Sequence, residues 1–316
     1  MASPPAAAID LGSTSVHLLV ARVVDGALVS IEDESAFLGL GAAVDGPGSL
    51  GAAGRERLTT TVAGYVDRAR AQGVGHPIVI GTEPLRRLAD ADRIVAEVSA
   101  ACGTPLHVLE HEEEALLTLI GLTAGRTVEH DLVVVDIGGG STELVEIGPG
   151  RPARASGVGV GAGRLTHALV AQDPPTGAEM SALLAAAAGT FSWTPSRPPA
   201  EVVAVGGTAS NLLKLVRRNR GREDLDSLDR ESLAAVRALV GRDLAATLAA
   251  RYLMRDARIR LLAAGAAIIE VVLERTGVER IRVADTGIRE GAIIAADRAG
   301  SAWRERLEEL AHGWSS

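Results

Sequence analysis

The sequence predicts an α/β protein of two domains, and three observations carry that expectation. Short β-branched runs alternate with helix-like segments along the chain. A unit of strand, aspartate, glycine turn and strand occurs twice, as Asp10-Leu-Gly-Ser-Thr14 and Asp136-Ile-Gly-Gly-Gly-Ser-Thr142, the second starting 126 positions after the first. Finally, 316 residues at 47% hydrophobic composition are enough for two cores, and at 2% aromatic content these are built from Ala, Val, Leu and Ile. The expected domains are 1–125 and 126–316, with the last helix packing back on the first domain.

In chain order, Ala7-Ala-Ile-Asp10 and Val16-His-Leu-Leu-Val-Ala21 read as the strands around the first turn, and 27–31 as a third strand. A helix is expected over about 53–71, ended by Gly73. His76-Pro-Ile-Val-Ile-Gly81 reads as a buried strand, and Thr82-Glu-Pro-Leu-Arg-Arg87 leads into a helix through about 101. Thr82 and Arg86 thus fall at a strand's carboxyl end, where open α/β sheets place ligands. Pattern alone does not choose between Arg86 and Arg87. The strand 105–109 precedes a helix that opens on Glu110-His-Glu-Glu-Glu-Ala115. His107-Val-Leu-Glu-His111 has the spacing of one zinc-peptidase class, but that chemistry needs both histidines on one helix, and His107 falls in the strand. The acidic run suits a first helical turn through the macrodipole, and its crowded charges equally suit a general base.

The strands 131–135 and 144–147 flank the second glycine turn. Three glycines in a row let successive N–H groups converge on an anion, and Ser141 and Thr142 add hydroxyls. Asp136 and Glu143 bracket the turn with carboxylates, a choice that suits phosphate accompanied by Mg²⁺. Glycines then alternate at 157, 159, 161 and 163 ahead of a helix over 164–170, with neither dinucleotide-binding nor Walker A spacing. The segment 194–199 reads as a surface loop. The strand 201–205 runs into Gly206-Gly-Thr-Ala-Ser-Asn211, a third glycine turn opening a helix whose N-terminus suits an anion. Lys214, Arg217, Arg218, Arg220 and Arg222 read as a solvated stretch rather than a polyanion contact. Long helices are expected over 229–250 and 256–275, the second with Gly265 marking a tight contact. A last strand covers 280–284, Asp285-Thr-Gly-Ile-Arg-Glu-Gly291 turns into a helix, and the tail through Ser316 reads as one more helix.

Composition narrows the partners. A single cysteine, Cys102, excludes an internal disulfide and suits a reducing compartment. The opening Met1-Ala-Ser-Pro-Pro5 lacks the basic start and long apolar run of a signal peptide, so a cytoplasmic protein is expected. The longest apolar stretch, 261–269, falls far short of the roughly 20 residues that span a bilayer. A net charge of −8 opposes general nucleic-acid binding, so neither membrane nor nucleic acid is an expected partner.

Several motifs in order resemble the exopolyphosphatase and guanosine pentaphosphate phosphatase family of the actin and sugar-kinase superfamily. They are Ile9-Asp-Leu-Gly-Ser-Thr-Ser15, Gly81-Thr-Glu-Pro-Leu-Arg86, Glu112-Glu-Glu-Ala115, Asp136 to Glu143, Val205-Gly-Gly-Thr208 and Gly287-Ile-Arg-Glu-Gly291. The resemblance implies two ribonuclease-H-like (actin-like ATPase) domains around a central cleft, and Mg²⁺-assisted hydrolysis of a terminal phosphoanhydride. It makes Glu114 the general base and Arg86 the phosphate-binding arginine. It assigns metal binding to Asp10, Asp136 and Glu143, and phosphate binding to Gly12, Ser13, Thr14, Gly138, Gly139, Gly140, Ser141, Thr142, Gly206, Gly207 and Thr208. The two hairpin turns are expected to face each other across the cleft. The implied substrate is inorganic polyphosphate, with a phosphorylated guanine nucleotide as the alternative, and a homodimer is expected.

Four departures accompany the resemblance. Thr14 stands where the family usually has asparagine, Glu110-His111 where it has Ser-Gly, and Leu116 where an arginine commonly follows Glu-Glu-Ala. Longer members also carry a C-terminal helical domain, which is not expected here, and with a net charge of −8 and one cation fewer near the base, tight binding of long polyphosphate is not expected. A catalytically weak nucleotide or polyphosphate sensor is the reading from another class, opposed by retention of Glu114, Arg86, Asp136 and Glu143. A sugar or acetate kinase is disfavoured by the Glu-Glu-Ala helix.

Overall fold

The computed structural model describes residues 3–25 and 27–314. Met1 and Ala2, where the opening segment begins, and Ser315 and Ser316, where the expected last helix ends, lie outside the described residues. The chain forms two compact units, one of Met1–Thr127, Arg151–Ala155 and Thr286–Ser316, the other of Val128–Gly150 and Ser156–Asp285.

The first unit is built on a five-stranded sheet of β1 (Ala6–Leu11), β2 (Ser15–Val24), β3 (Ala27–Phe37), β4 (Ile78–Gly81) and β5 (Leu106–Val108), in the order β3-β2-β1-β4-β5. β1 runs antiparallel to β2 and parallel to β4. Its core is aliphatic, as the composition demands: Ile9, Leu11, Leu18 and Val79 are fully buried among Leu58, Val62 and Val66 of the helix Gly51–Ala71. Their spacing of four and eight residues puts those three on one helix face. β3 runs to Phe37 rather than ending near 31. Its later half, Glu32-Asp-Glu-Ser35, carries no hydrophobic alternation because it is an edge strand facing solvent, where charge discourages further pairing. The helix Ile288–Ala299 closes this unit by packing on the helix His111–Thr123 and on β1. A Cβ on Gly291 would overlap Leu117 O, so glycine permits that helix crossing.

The second unit repeats the plan. Its sheet holds β6 (Leu132–Ile137), β7 (Thr142–Ile147), β8 (Arg154–Val158, of which Ser156–Val158 belong to this unit), β9 (Glu201–Val205), β10 (Ser227–Asp229) and β11 (Arg280–Val283), ordered β10-β11-β9-β6-β7-β8. β6 is antiparallel to β7 and parallel to β9, so the run β8-β7-β6-β9-β11 reproduces β3-β2-β1-β4-β5. Around it Phe191, Leu212, Ile268 and Val272 form a second core. Gly265 meets the tight contact expected of it, since a Cβ there would overlap the Thr208 methyl.

Two long helices of the sequence reading are interrupted. The stretch 229–250 is Arg230–Val240 and then Ala245–Arg251, because Gly241 ends the first helix and Asp173 Oδ1 accepts the Ala245 amide at 2.9 Å to start the second. The stretch 256–275 is Asp256–Ile259 followed by Leu262–Thr276. Among the described residues of the tail after 299, only Leu307–Ala311 is α-helical. No described helix is long and apolar enough to cross a membrane.

Candidate active site

Each unit carries a glycine hairpin at the end of its first strand. In the first, Gly12 N donates to Ser15 O at 3.1 Å, and Asp10 lies opposite His17 in the ladder. In the second, Gly138 N donates to Ser141 O at 3.0 Å, and Asp136 lies opposite Glu143. The two registers coincide at the 126-residue offset throughout. Ser13 and Thr14 therefore correspond to Gly139 and Gly140 rather than to Ser141 and Thr142, and His17 corresponds to Glu143.

Directly opposed residues of an antiparallel pair project from the same face, so Asp136 and buried Glu143 present their carboxylates together. Beside them β9 delivers Val205 into the helix Gly206–Arg220. Gly206 has φ +85°, and a Cβ there would overlap Asp136 Oδ1, so only glycine lets this backbone close over the carboxylate. Gly207 faces Arg258, whose Nη1 lies 3.3 Å from where a Cβ would stand. Burial, reinforced by neighbouring Arg255, pulls the Arg258 pKa below the usual arginine value. Thr208 is buried against Gly265.

The alternating glycines explain themselves as a buttress for the second turn. Cβ atoms on Gly161 and Gly163 would come 2.5 and 2.9 Å from the Gly139 backbone. That approach lets Ala162 N reach Gly138 O at 3.0 Å and Arg164 N reach Gly139 O at 2.9 Å, fixing the turn's peptide planes. Thr142 donates its hydroxyl proton to Val160 O at 2.6 Å, which ties the same two segments together. The first turn is held differently: Ser13 Oγ donates to Glu83 Oε2 at 3.1 Å, and Gly41 N donates to Ser13 O at 2.7 Å. The sequence reading passed over Glu83, although its place in Thr-Glu-Pro-Leu-Arg was the available signal.

Arg86 and Glu114 meet within the first unit. Arg86 lies on the short helix Glu83–Arg87 after β4, and its Nη1 donates to Leu109 O and to Glu114 Oε1. Its Nη2 lies 3.0 Å from His111 Nδ1, which accepts because an arginine can only donate. Glu114 is 7% exposed, one turn into the helix His111–Thr123. Arg87 is turned away, pairing with Glu83 at 2.7 Å and Asp45 at 3.0 Å. The choice that pattern left open thus falls on Arg86 as the residue against the carboxylate. His107 is in β5, edge-on to Trp303 at 5.6 Å, and only His111 is on the helix.

Asp10 has a cation in its surroundings. Arg289, from the Gly287-Ile-Arg-Glu-Gly291 motif, pairs with Asp33 at 2.6 Å. Burial works against its charge, but Glu290, Asp33 and Asp10 more than offset this and hold its pKa above the usual value. The motif's role was not legible in the sequence, because Asp33 and Arg289 are separated by most of the chain.

Repeated mixed sheets of this topology, each with an aspartate and a glycine hairpin at the end of its first strand, define a two-domain actin-like protein of the phosphate-handling kind. A model of the Ppx/GppA phosphatase family matches residues 19–297, and the chain belongs to that family. It is 26% identical to exopolyphosphatase 1 of Mycobacterium leprae over 308 residues, covering 90% of this chain and 87% of that protein. It is 33% identical to the guanosine-5'-triphosphate,3'-diphosphate pyrophosphatase of Vibrio vulnificus over 153 residues, 48% of this chain and only 31% of that longer protein. The solved Ppx/GppA enzyme of Aquifex aeolicus superposes with a TM-score of 0.76 at 25% identity, covering 92% of this chain and 99% of that one.

Proposed function

We propose that this protein hydrolyses the terminal phosphoanhydride of inorganic polyphosphate, with Glu114 as general base and Arg86 as the ligand of the reacting phosphate. The observation that carries the reading is the contact of Arg86 with Glu114 at the carboxyl end of β4. A buried carboxylate held by a guanidinium is placed to take a proton from water while the cation draws in the phosphate. The glycine turns 12–14, 138–142 and 206–208 supply backbone N–H groups to phosphate oxygens, apart from those of Gly12 and Gly138, which close the hairpins, and phosphoryl transfer needs little more from the protein than positioning and charge.

Asp136 and Glu143 fit a hard cation. They are two oxygen donors on one sheet face, with the glycine at 206 leaving room over Asp136. They would hold Mg²⁺, which when bound neutralises charge on the phosphates. Asp10 lies within the field of Arg289, so its contribution to a metal is the smaller one. Guanosine pentaphosphate is the second reading, favoured by the similarity to the Vibrio pyrophosphatase. The proposal includes a cytoplasmic homodimer.

Phosphate release from tripolyphosphate, long polyphosphate and guanosine pentaphosphate, with Mg²⁺ and then with chelator, tests the reading. Wild type should release phosphate only with Mg²⁺, and Glu114→Gln should lower kcat about 100-fold or more. Equal rates for both proteins would remove Glu114 as the base. No release by wild type from any of the three would favour the sensor.

A further inference from the structure

The segment after residue 297 lies beyond the stretch matched by the family model, yet it reaches back to the base-bearing helix. Arg304 Nε lies 2.6 Å from Glu113 Oε1, and its Nη2 lies 2.7 Å from Glu113 Oε2, a two-pronged ion pair. The same Nη2 donates to Val108 O at 2.8 Å. Glu113 in turn accepts the Glu110 amide at 2.8 Å, closing the cap of the helix His111–Thr123. Trp303 stacks edge-on against His107, one residue before Val108.

We infer that Arg304 is a positioning residue for the Arg86–Glu114 pair. Its guanidinium bridges the last residue of β5 and the third residue of the helix, across the junction 108–113. That junction carries Leu109 O, which holds Arg86, and it sets the direction in which Glu114 leaves the first helical turn. A fork that bonds both sides of a strand-to-helix turn resists changes in their angle, which a single ammonium would not do. Burial works against the charge on Glu113, but Arg304 and the Glu110 amide outweigh it and hold its carboxyl below the usual range. Glu113 in turn favours the charge on Arg304, so the two meet as an ion pair at neutral pH. The base helix has Leu116 where family members commonly carry arginine; in this chain Arg304, from the tail, brings a cation to that helix. The inference rests on Glu114 and Arg86 acting as proposed above.

The test compares Arg304→Ala, Arg304→Lys and Glu113→Gln with Arg306→Ala, a control in the same segment whose partner is the nearby Glu309. Full-length protein is assayed on tripolyphosphate with Mg²⁺, below the melting midpoint of every variant. Arg304→Ala should lower kcat roughly tenfold with KM little changed, because a slight misplacement of a catalytic group is costly. Arg304→Lys should fall between it and wild type. The double variant Arg304→Ala/Glu113→Gln should be no worse than either single one, since both break one linkage. Hydrogen exchange at residues 108–116 should quicken in Arg304→Ala and stay unchanged in Arg306→Ala. Unchanged kcat in Arg304→Ala, equal losses in Arg304→Ala and Arg306→Ala, or unaltered exchange would each overturn the inference. An inactive wild type would count against the proposed hydrolysis, and the exchange comparison would still decide whether Arg304 holds the junction.

Discussion

The two hairpins share one backbone and one register, 126 residues apart, yet they are supported and charged differently. At the second, Glu143 opposes Asp136, and the turn is three bare glycines pressed from behind by Gly161 and Gly163. At the first, His17 opposes Asp10, the middle positions are Ser13 and Thr14, and support comes from the Glu83 side chain and the 38–41 backbone. The second has two carboxylates on one face and a fixed path of peptide groups, while the first has one carboxylate with Arg289 nearby. One ancestral-looking unit thus serves two chemical environments. The difference lies in what opposes the aspartate and what packs behind the turn.

The largest effect should come from breaking the carboxylate contrast. Asp136→Asn should cost about 100-fold or more in kcat and abolish the response to Mg²⁺, whereas Asp10→Asn should cost about tenfold or less and keep that response, because only the second hairpin has a paired carboxylate. Mg²⁺ titration of phosphate release reads both, and equal losses with equal Mg²⁺ dependence would erase the distinction.

A smaller effect should follow from breaking the support. Gly161→Ala places a methyl 2.5 Å from the Gly139 backbone, with no flexible side chain to yield. It should destabilise the protein by about 1–3 kcal/mol and lower activity as the turn shifts. Gly12→Ala meets Ser15 O at 3.4 Å, an ordinary contact, so its cost in denaturant unfolding should be less than about 1 kcal/mol. A larger loss at Gly12 than at Gly161 would show that packing behind the turn is not what separates the hairpins.

The smallest effect concerns pH and the helix His111–Thr123 of the first unit. Because the Glu113 pKa is lowered in the fold, the stability it contributes is present above its unfolded value of about 4.3 and is lost as pH falls through the folded value. Glu113→Gln should therefore narrow its stability gap to wild type between pH 6 and pH 3, to a degree that unfolding curves at the two pH values will show. A constant gap would mean that the Arg304 pairing contributes nothing to folding.

How legible these features were depends on the range of the forces behind them. Periodicity and turn chemistry are local, so the two halves, the strand and glycine-turn units and the buried strands around Asp10, Asp136 and Val205 could be read directly. Arg86 and Glu114 came from motif resemblance, and their mutual contact needed the fold to bring β4 beside β5. Illegible parts had partners far away in sequence. Glu32 to Ser35 form a strand only because β2 is there to pair with, and the 229–250 helix breaks where Asp173 supplies a cap from 72 residues earlier.

By itself, then, the sequence determined the class of the protein, its internal repeat and the residue types at its glycine turns, because these rest on backbone propensity and short spacing. Tertiary structure alone decided that Ser13 matches Gly139 and not Ser141, that Gly161 must be glycine to let the turn be held, that Arg86 rather than Arg87 meets Glu114, and that Arg304 grips the helix His111–Thr123. Each of these is a contact between segments that only packing brings together, and a contact at a few ångströms is not written in either segment's own pattern.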